Sequence, residues 1–531
     1  MGFFTGDLNP HFFLYPSLYL YILYITYGLY YLLLKGLDFF SSLDDLFTLF
    51  VLNPAPLHFI SRGITALLGT LTIYLLYLLS KKLYSREIAL ISSLILSLTY
   101  LHARDSHFGT TDVPLTFLIL LAYIFISDIF LSGKNYILAG IISGFSVSMK
   151  YNGAILAVPI LIAHLLSKET FEESFVKKFF NKKIIFSALA MISAFLLTSP
   201  YVLLDYKSFL ASIKFLTKAL RQGIGMELGI GWIFYLKFTL RYGIGAPLLL
   251  ASLAGMAYLI YRHRKEDILL LSFPVIYYLI IGNSHGVFSR YMIPVLPFLS
   301  LFTAVVIYDF ISSIKILKNY KLLASILVSI LVLIPSIYSI ISFNNTIFKK
   351  DTRNLAADWI KTNLPSGSRI YMHGHYEYEL PLLPRDLENI EADIVDFKER
   401  GKTSPNFIIK LRALDLLLKK GTYPPNPNFH ILRSESEYIN DDLLTKMSPD
   451  YIVTTEYYLN YYSSDAGKLD NFIKRFCTPL VSFYPYNLTG EKPNPLFDPL
   501  DAFYVPFARP DGILRPGPVI HIYKVLKDRR I

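Results

Sequence analysis

Residues 102–131, HARDSHFGTTDVPLTFLILLAYIFISDIFL, decide how the rest of the chain is read. A polar stretch from His102 to Asp112, with two histidines, an Arg-Asp pair and a further aspartate, runs directly into the apolar stretch Val113 to Leu131. A helix of about 20 apolar residues crosses the hydrocarbon layer of a bilayer, so this pattern predicts a membrane span entered from a loop rich in ionisable groups.

Working outward, apolar runs separated by short polar loops recur from Tyr15 to Phe343 and stop after Asn344. Hydrophobic residues make up 53% of the 531 residues and mean hydropathy is +0.43, which points to many spans rather than several soluble domains. The net charge of +11 sits largely in those loops, at Lys81, Lys82 and Arg86, at Lys134, at Lys168, Lys177, Lys178, Lys182 and Lys183, at Arg262, Arg264 and Lys265, and at Lys315, Lys318 and Lys321. Lys and Arg resist translocation, so these loops are read as cytoplasmic and not as a nucleic-acid surface. The single cysteine, Cys477, excludes an intrachain disulfide and a multi-thiolate metal site. Met1 to Pro16 lacks the basic start and apolar core of a cleavable signal peptide.

Placing every basic loop inside fixes the path. Ile64–Leu79 runs inward, Ile88–Leu101 outward and Val113–Leu131 inward, which leaves His102 to Asp112 outside. Tyr136–Leu166 starts and ends at basic loops and so crosses an even number of times, interrupted at Lys150-Tyr151-Asn152-Gly153. Each half reaches about 21 Å as helix against a core of about 30 Å, which puts the break below the external surface, where irregular backbone must line a protein cavity. Ile184–Leu197, Pro247–Tyr261, Ile268–Ile281, Tyr291–Phe310 and Leu322–Ser342 complete the crossings, with Ser199–Ile244 and Gly282–Arg290 outside. Tyr15–Lys35 is rich in tyrosine and reads better as an interfacial segment than as a span.

The expected architecture is an α-helical polytopic membrane protein of about 10–11 transmembrane helices with an external α/β domain. Its regions are an external N-terminal segment 1–56, a transmembrane domain 57–343 and a soluble domain 344–531. In the last, a helix opens at Asp351 with Leu355, Ala356, Trp359 and Ile360 on one face. Strands are expected at Arg369–Met372, Tyr451–Thr454 and Val519–Tyr523.

On this topology three groups of ionisable residues meet at the external side: His102 to Asp112, the Lys150 break, and His285 with Ser289-Arg290-Tyr291. Charge at membrane depth is costly and usually functional. Plainer readings exist: Asp112 as a helix N-cap with Pro114 in the first turn, Arg290 as an interfacial anchor, and the histidines as polar loop residues. Lys150 is harder to dismiss, because a snorkelling lysine needs no broken helix. Two carboxylates and several cations around one cavity suit transfer from a phosphate leaving group, the cations holding the phosphate and a carboxylate taking the acceptor's proton. Asp112 and Asp105 are then the candidate catalytic groups, Arg290, Lys150 and Arg104 the phosphate ligands, and Tyr151, Asn152, Tyr291, His107 and His285 the lining.

At these residues the chain resembles the GT-C class of membrane glycosyltransferases, in particular relatives of the protein O-mannosyltransferases and of the lipid A aminoarabinose transferase. The similar features are Asn9-Pro10-His11-Phe12-Phe13 with Tyr15-Pro16-Ser17-Leu18, Arg104 to Phe117, the Lys150 break, and Ser289-Arg290-Tyr291 with Pro294 and Pro297. The resemblance implies a polyprenyl-phosphate sugar donor, a glycan, lipid or protein acceptor, an external site, inversion at the anomeric carbon and, in some members, a divalent metal ion. It also implies that Asp112 is a site residue and that Arg290 contacts the donor phosphate. The family carries an acidic pair in its first external loop, upstream of the Asn9-Pro10 motif, so the expectation is either an upstream extension with one apolar span and that pair or a base replaced from an unusual position. Asp44-Asp45 follows the Tyr-Pro segment and does not take over that role, and Asp7 is the nearest upstream carboxylate. Two rival readings remain, a flippase of lipid-linked sugars and a non-catalytic scaffold. A flippase tends to place paired broken helices near the midplane, whereas this sequence shows one break.

Overall fold

A computed structural model describes residues 1–167, 181–223, 226–372, 380–382, 405–421, 426–432, 441–459, 466–489, 491–501 and 504–526. Of the basic loop positions, Lys168, Lys177 and Lys178 lie outside the described residues. The chain forms two compact units, one of Gly6–Leu33 and Ala55–Ile340, the other of Met1–Thr5, Leu34–Pro54 and Ile341–Ile531.

The apolar runs fold as helices: α1 (Leu18–Gly36), with α2 (Leu43–Leu52) following in the second unit, then α3 (Ala55–Leu83), α4 (Arg86–Ser97), α5 (Tyr100–Asp105) and α6 (Asp112–Ser132). Next come α7 (Tyr136–Met149), α8 (Ala157–Leu166), α9 (Lys182–Thr198), α10 (Tyr206–Gln222), α11 (Ala246–Arg262), α12 (Lys265–Gly282), α13 (Leu296–Ser313) and α14 (Lys321–Ile347). By length and composition, five helical stretches among the described residues could cross a membrane: Leu18–Gly36, Ala55–Leu83, Asp112–Ser132, Ser289–Ser313 and one starting at Lys321. The remaining expected spans fall on shorter helices, and α1, expected at the interface, has the length and hydropathy of a span.

Local chemistry sets the helix ends. The Ser85 side chain accepts from Ile88 N–H to open α4, Asn181 accepts from Lys183 N–H to open α9, and Gly133 in the left-handed region closes α6. Between α7 and α8 the helix breaks as the sequence predicts. Lys150 is extended and Tyr151–Leu156 form a 3-10 turn that folds back along α7. A β-carbon on Gly153 would lie 2.3 Å from the Ser146 carbonyl carbon, so the return needs glycine. At the far ends of the two arms the Tyr136 hydroxyl and His164 Nδ1 are 2.7 Å apart, which closes α7 and α8 into a hairpin.

Helix α7 also packs tightly on α9. β-carbons at Gly140 and Gly144 would lie 2.2 and 2.4 Å from the carbonyl oxygens of Ser187 and Met191. This is the close backbone approach that small residues one turn apart permit between membrane helices. Elsewhere in the unit, Arg262 holds Asp267 through two bonds of 2.8 and 2.6 Å and Asp309 through one of 2.9 Å. Tyr84 donates to Asp267 (2.5 Å) and Tyr258 to Asp309 (3.0 Å), so three helices and the α3–α4 turn are tied at one buried guanidinium.

The second unit is α/β. Five strands, β1 (Arg369–Met372), β2 (His430–Leu432), β3 (Tyr451–Glu456), β4 (Cys477–Phe483) and β5 (Val519–Val525), lie in the order β2-β1-β3-β5-β4. The first three are parallel and β5 and β4 antiparallel. Alternation sends Ile370, Val453, Ile520 and Ile522 against Ala356 and Ile360 of α15 (Thr352–Asn363), which Asp351 caps. Tyr371, Ile452 and Val525 go to the other face, against Leu444 of α16 (Asp441–Met447) and Leu469 and Phe472 of α17 (Ala466–Phe476). The acidic pair Asp44-Asp45 has a structural task here: Asp45 completes the capping box of α2 with Ser42, and Asp44 pairs with Arg412 at 2.7 Å.

Candidate functional site

Three segments far apart in sequence meet at one carboxylate. Asp112 lies in the first turn of α6, and the N-cap position belongs to Thr111, which makes no side-chain cap bond. The Asp112 carboxylate is instead directed sideways: Oδ1 is 2.6 Å from Lys150 Nζ and Oδ2 is 3.4 Å from Arg290 Nε. The side chains of Asp112, Lys150 and Arg290 are 1%, 7% and 13% exposed. The break after α7 brings Lys150 here, and the 3-10 turn Ser289–Val295 ahead of α13 brings Arg290. The plain readings of Asp112 as an N-cap and Arg290 as an interfacial anchor do not describe these contacts.

Aromatic rings wall the charges. Lys150 Nζ is 3.9 Å from the Tyr291 ring centre and 5.7 Å from that of Tyr15, and the Arg290 guanidinium is 4.2 Å from Phe288. Arg290 also donates to the Tyr15 hydroxyl at 3.4 Å. Asn152 donates to Tyr277 Oη (3.4 Å), and Tyr151 donates to the Phe13 carbonyl (2.9 Å). Such cation–π contacts keep a buried cation favourable without neutralising it. The three charged groups together carry one net positive charge.

Sequence reasoning missed Tyr15 and Tyr277 as members of this group. Tyr15 belongs to the segment Gly6–Ser17, which is fastened by its own polar contacts: Asn9 donates to Asp205 (3.0 Å) and the His11 ring is 2.7 Å from Asp7. His11 holds the Asp7 carboxyl below the usual carboxylate range, and Asn9 does the same for Asp205. Asp7 is half exposed and ionised at neutral pH. The Tyr-Pro step at Tyr15-Pro16, an aromatic group beside a chain kink, was the available signal.

The structure places the other expected residues as follows. Arg104 and Asp105, both fully buried in α5, pair with each other at 3.1 Å, with Arg104 over Phe108. Helix α5 packs on the segment that carries Arg290. His107 Nδ1 is 2.9 Å from the Ala103 carbonyl, and buried His102 meets the Gly69 carbonyl at 3.2 Å. His285 donates its backbone N–H to the Leu220 carbonyl at 2.8 Å, joining the loop before Arg290 to the end of α10. No group of three or more His, Cys, Asp or Glu among the described residues converges as metal ligands.

Residues 58–203 match the family described as dolichyl-phosphate-mannose-protein mannosyltransferase. The structure is similar to ArnT from Cupriavidus metallidurans bound to undecaprenyl phosphate, with a TM-score of 0.52 and 10% identity over 98% of this chain and 91% of that one. Against the same ArnT in the apo state the values are 0.43 and 12% over 60% of this chain and 69% of that one. Against the Archaeoglobus fulgidus oligosaccharyltransferase in the apo form they are 0.42 and 11% over 79% of this chain. This chain spans 62% of that oligosaccharyltransferase's length. No curated protein matches the chain. The fold is similar to that of ArnT, with a mostly helical unit that holds several apolar helices and a second unit that holds a small sheet.

Proposed function

We propose that the protein transfers a monosaccharide from a polyprenyl-phosphate donor to an acceptor on the external face of the membrane, with inversion. The observation that carries this reading is the buried Asp112–Lys150–Arg290 group, in which two cations share one carboxylate. Two cations side by side are the arrangement that holds a phosphate group. A phosphate diester suits the group, with Arg290 as a planar fork and Lys150 as a point charge. The match over residues 58–203 and the likeness to ArnT bound to undecaprenyl phosphate support a lipid-phosphate donor. Placing the short basic loops between the spans inside supports the external face.

As the bond from the sugar's anomeric carbon to the phosphate oxygen breaks, negative charge grows on the phosphate and both cations stabilise it. Asp112, held between them, fixes their positions. The acceptor attacks from the opposite side of the anomeric carbon and gives its proton to a carboxylate. Asp7 is the accessible carboxylate of the segment that reaches Tyr15, whereas Asp105 and Asp112 are buried in ion pairs.

The deciding experiment incubates purified protein with radiolabelled polyprenyl-phosphate sugars and a total membrane extract. A labelled acceptor and released polyprenyl phosphate are expected. Movement of intact donor across the bilayer, with no label transferred, would establish the flippase reading instead.

A further inference from the structure

Helix α10 is unlike the other helices of its unit. Lys207, Lys214, Lys218 and Arg221 are its basic residues, it contains no acidic residue, and all four cations are exposed. At 3.6 residues per turn they fall in a sector of about 60°. The opposite face, Phe209, Ile213, Leu216 and Leu220, is half-buried against the body of the unit. The Phe209 ring is 6.2 Å from Phe13 and 6.3 Å from Tyr151, and the Leu220 carbonyl accepts from Ser284 Oγ (3.0 Å) as well as from His285 N–H. The basic stripe therefore points away from the packed side.

Bulky apolar residues flank the stripe. Tyr206 and Leu210 on one side and Phe215 on the other are 54%, 57% and 62% exposed, and Leu203 and Leu204 lie exposed just before the helix. A solvated charged face has no use for these flanking groups. They suit a boundary where apolar side chains reach the acyl region and Lys and Arg stay at phosphate level. Continuity favours the same setting, because α10 begins shortly after the end of α9, an apolar helix with largely exposed leucines.

We propose that α10 lies in the plane of the membrane surface and that its stripe of Lys207, Lys214, Lys218 and Arg221 binds the phosphate headgroups of anionic bilayer lipids. Anionic leaflets attract clustered basic residues additively. The clamp at Leu220 ties this surface contact to the His285 loop, which leads into Arg290.

The test uses the full chain in nanodiscs of phosphatidylcholine alone or with added phosphatidylglycerol, and reads hydrogen exchange over residues 206–222. Wild type is expected to exchange at least about fivefold more slowly with phosphatidylglycerol present. The variant Lys207→Gln, Lys214→Gln, Lys218→Gln, Arg221→Gln should lose that difference while α6 and α13 keep wild-type protection. Equal exchange of wild type in both lipids overturns the proposal, as does a lipid effect that survives in the variant. Inorganic phosphate added to phosphatidylcholine nanodiscs should not reproduce the protection, and if it does, the stripe is a free-phosphate site and the proposal fails.

Discussion

Lys150 Nζ sits 2.6 Å from Asp112 Oδ1, although the two residues belong to different segments and 38 positions separate them in the chain. The contact exists because α7 stops at Met149 and the chain turns extended for one residue, so the lysine leaves the helix axis where α6 begins.

Lys150→Ala and Arg290→Ala are expected to weaken donor binding by about 2 to 5 kcal/mol each, since each removes one partner of a desolvated ionic contact. Asp112→Asn is expected to cause the largest loss of transfer, because it frees both cations from their fixed positions. It should also lower the melting temperature of the empty protein, and added polyprenyl phosphate should restore more stability to this variant than to wild type by supplying the missing negative charge. Thermal shifts with and without the lipid, beside donor-binding assays, measure all three. Wild-type donor affinity in both alanine variants would remove the phosphate assignment.

Asp7→Asn should reduce turnover while donor binding stays near wild type, as expected of a group that handles the acceptor's proton. Asp105→Asn should chiefly destabilise, since it removes the charge with which buried Arg104 pairs. Single-turnover rates with saturating donor separate the two. An unchanged rate in Asp7→Asn would move the search for the base to other carboxylates.

Arg262→Met leaves Asp267, fully buried, and Asp309 without their shared cation. Breaking a buried ion pair typically costs about 3 to 5 kcal/mol. Thermal unfolding in detergent should show that loss, with donor affinity per folded molecule unchanged.

A tag placed after Ile531 should be removed by protease added to intact cells, because an external tail is the parity that keeps the short basic loops at Lys81–Arg86, Lys134, Lys182–Lys183, Arg262–Lys265 and Lys315–Lys321 inside. Full protection until lysis would reverse the orientation and move the proposed site to the opposite face.

Much of this architecture is legible in the amino-acid sequence. The helix break at Lys150 announces itself as a Lys-Tyr-Asn-Gly interruption in an apolar run too short to cross twice, and the strand at Arg369–Met372 follows from the helix stop at Pro365-Ser366-Gly367. Asp112, Lys150 and Arg290 stand out because charge is rare in such surroundings. Their pairing cannot be read from the chain, since it depends on how three helix ends are offset in space. Tyr15 is harder to assign for a different reason: the Tyr-Pro step marks its segment, but tyrosine is common at membrane boundaries, so its contact with Arg290 shows only in the fold. Arg104 and Asp105, adjacent in sequence and both ionisable, look like two functional groups, and the structure shows them engaged with each other.

The seam between α7 and α9 bears on how such a sequence can vary. Because Gly140 and Gly144 leave no room for even a methyl group, a side chain at either position would push the two helices apart and shift the end of α7, where Lys150 is carried. Substitutions at these glycines should therefore appear in a mutational screen as catalytic defects, although neither residue belongs to the charged group, and compensating changes should arise on α9 opposite them, at Ala190 and Ala194.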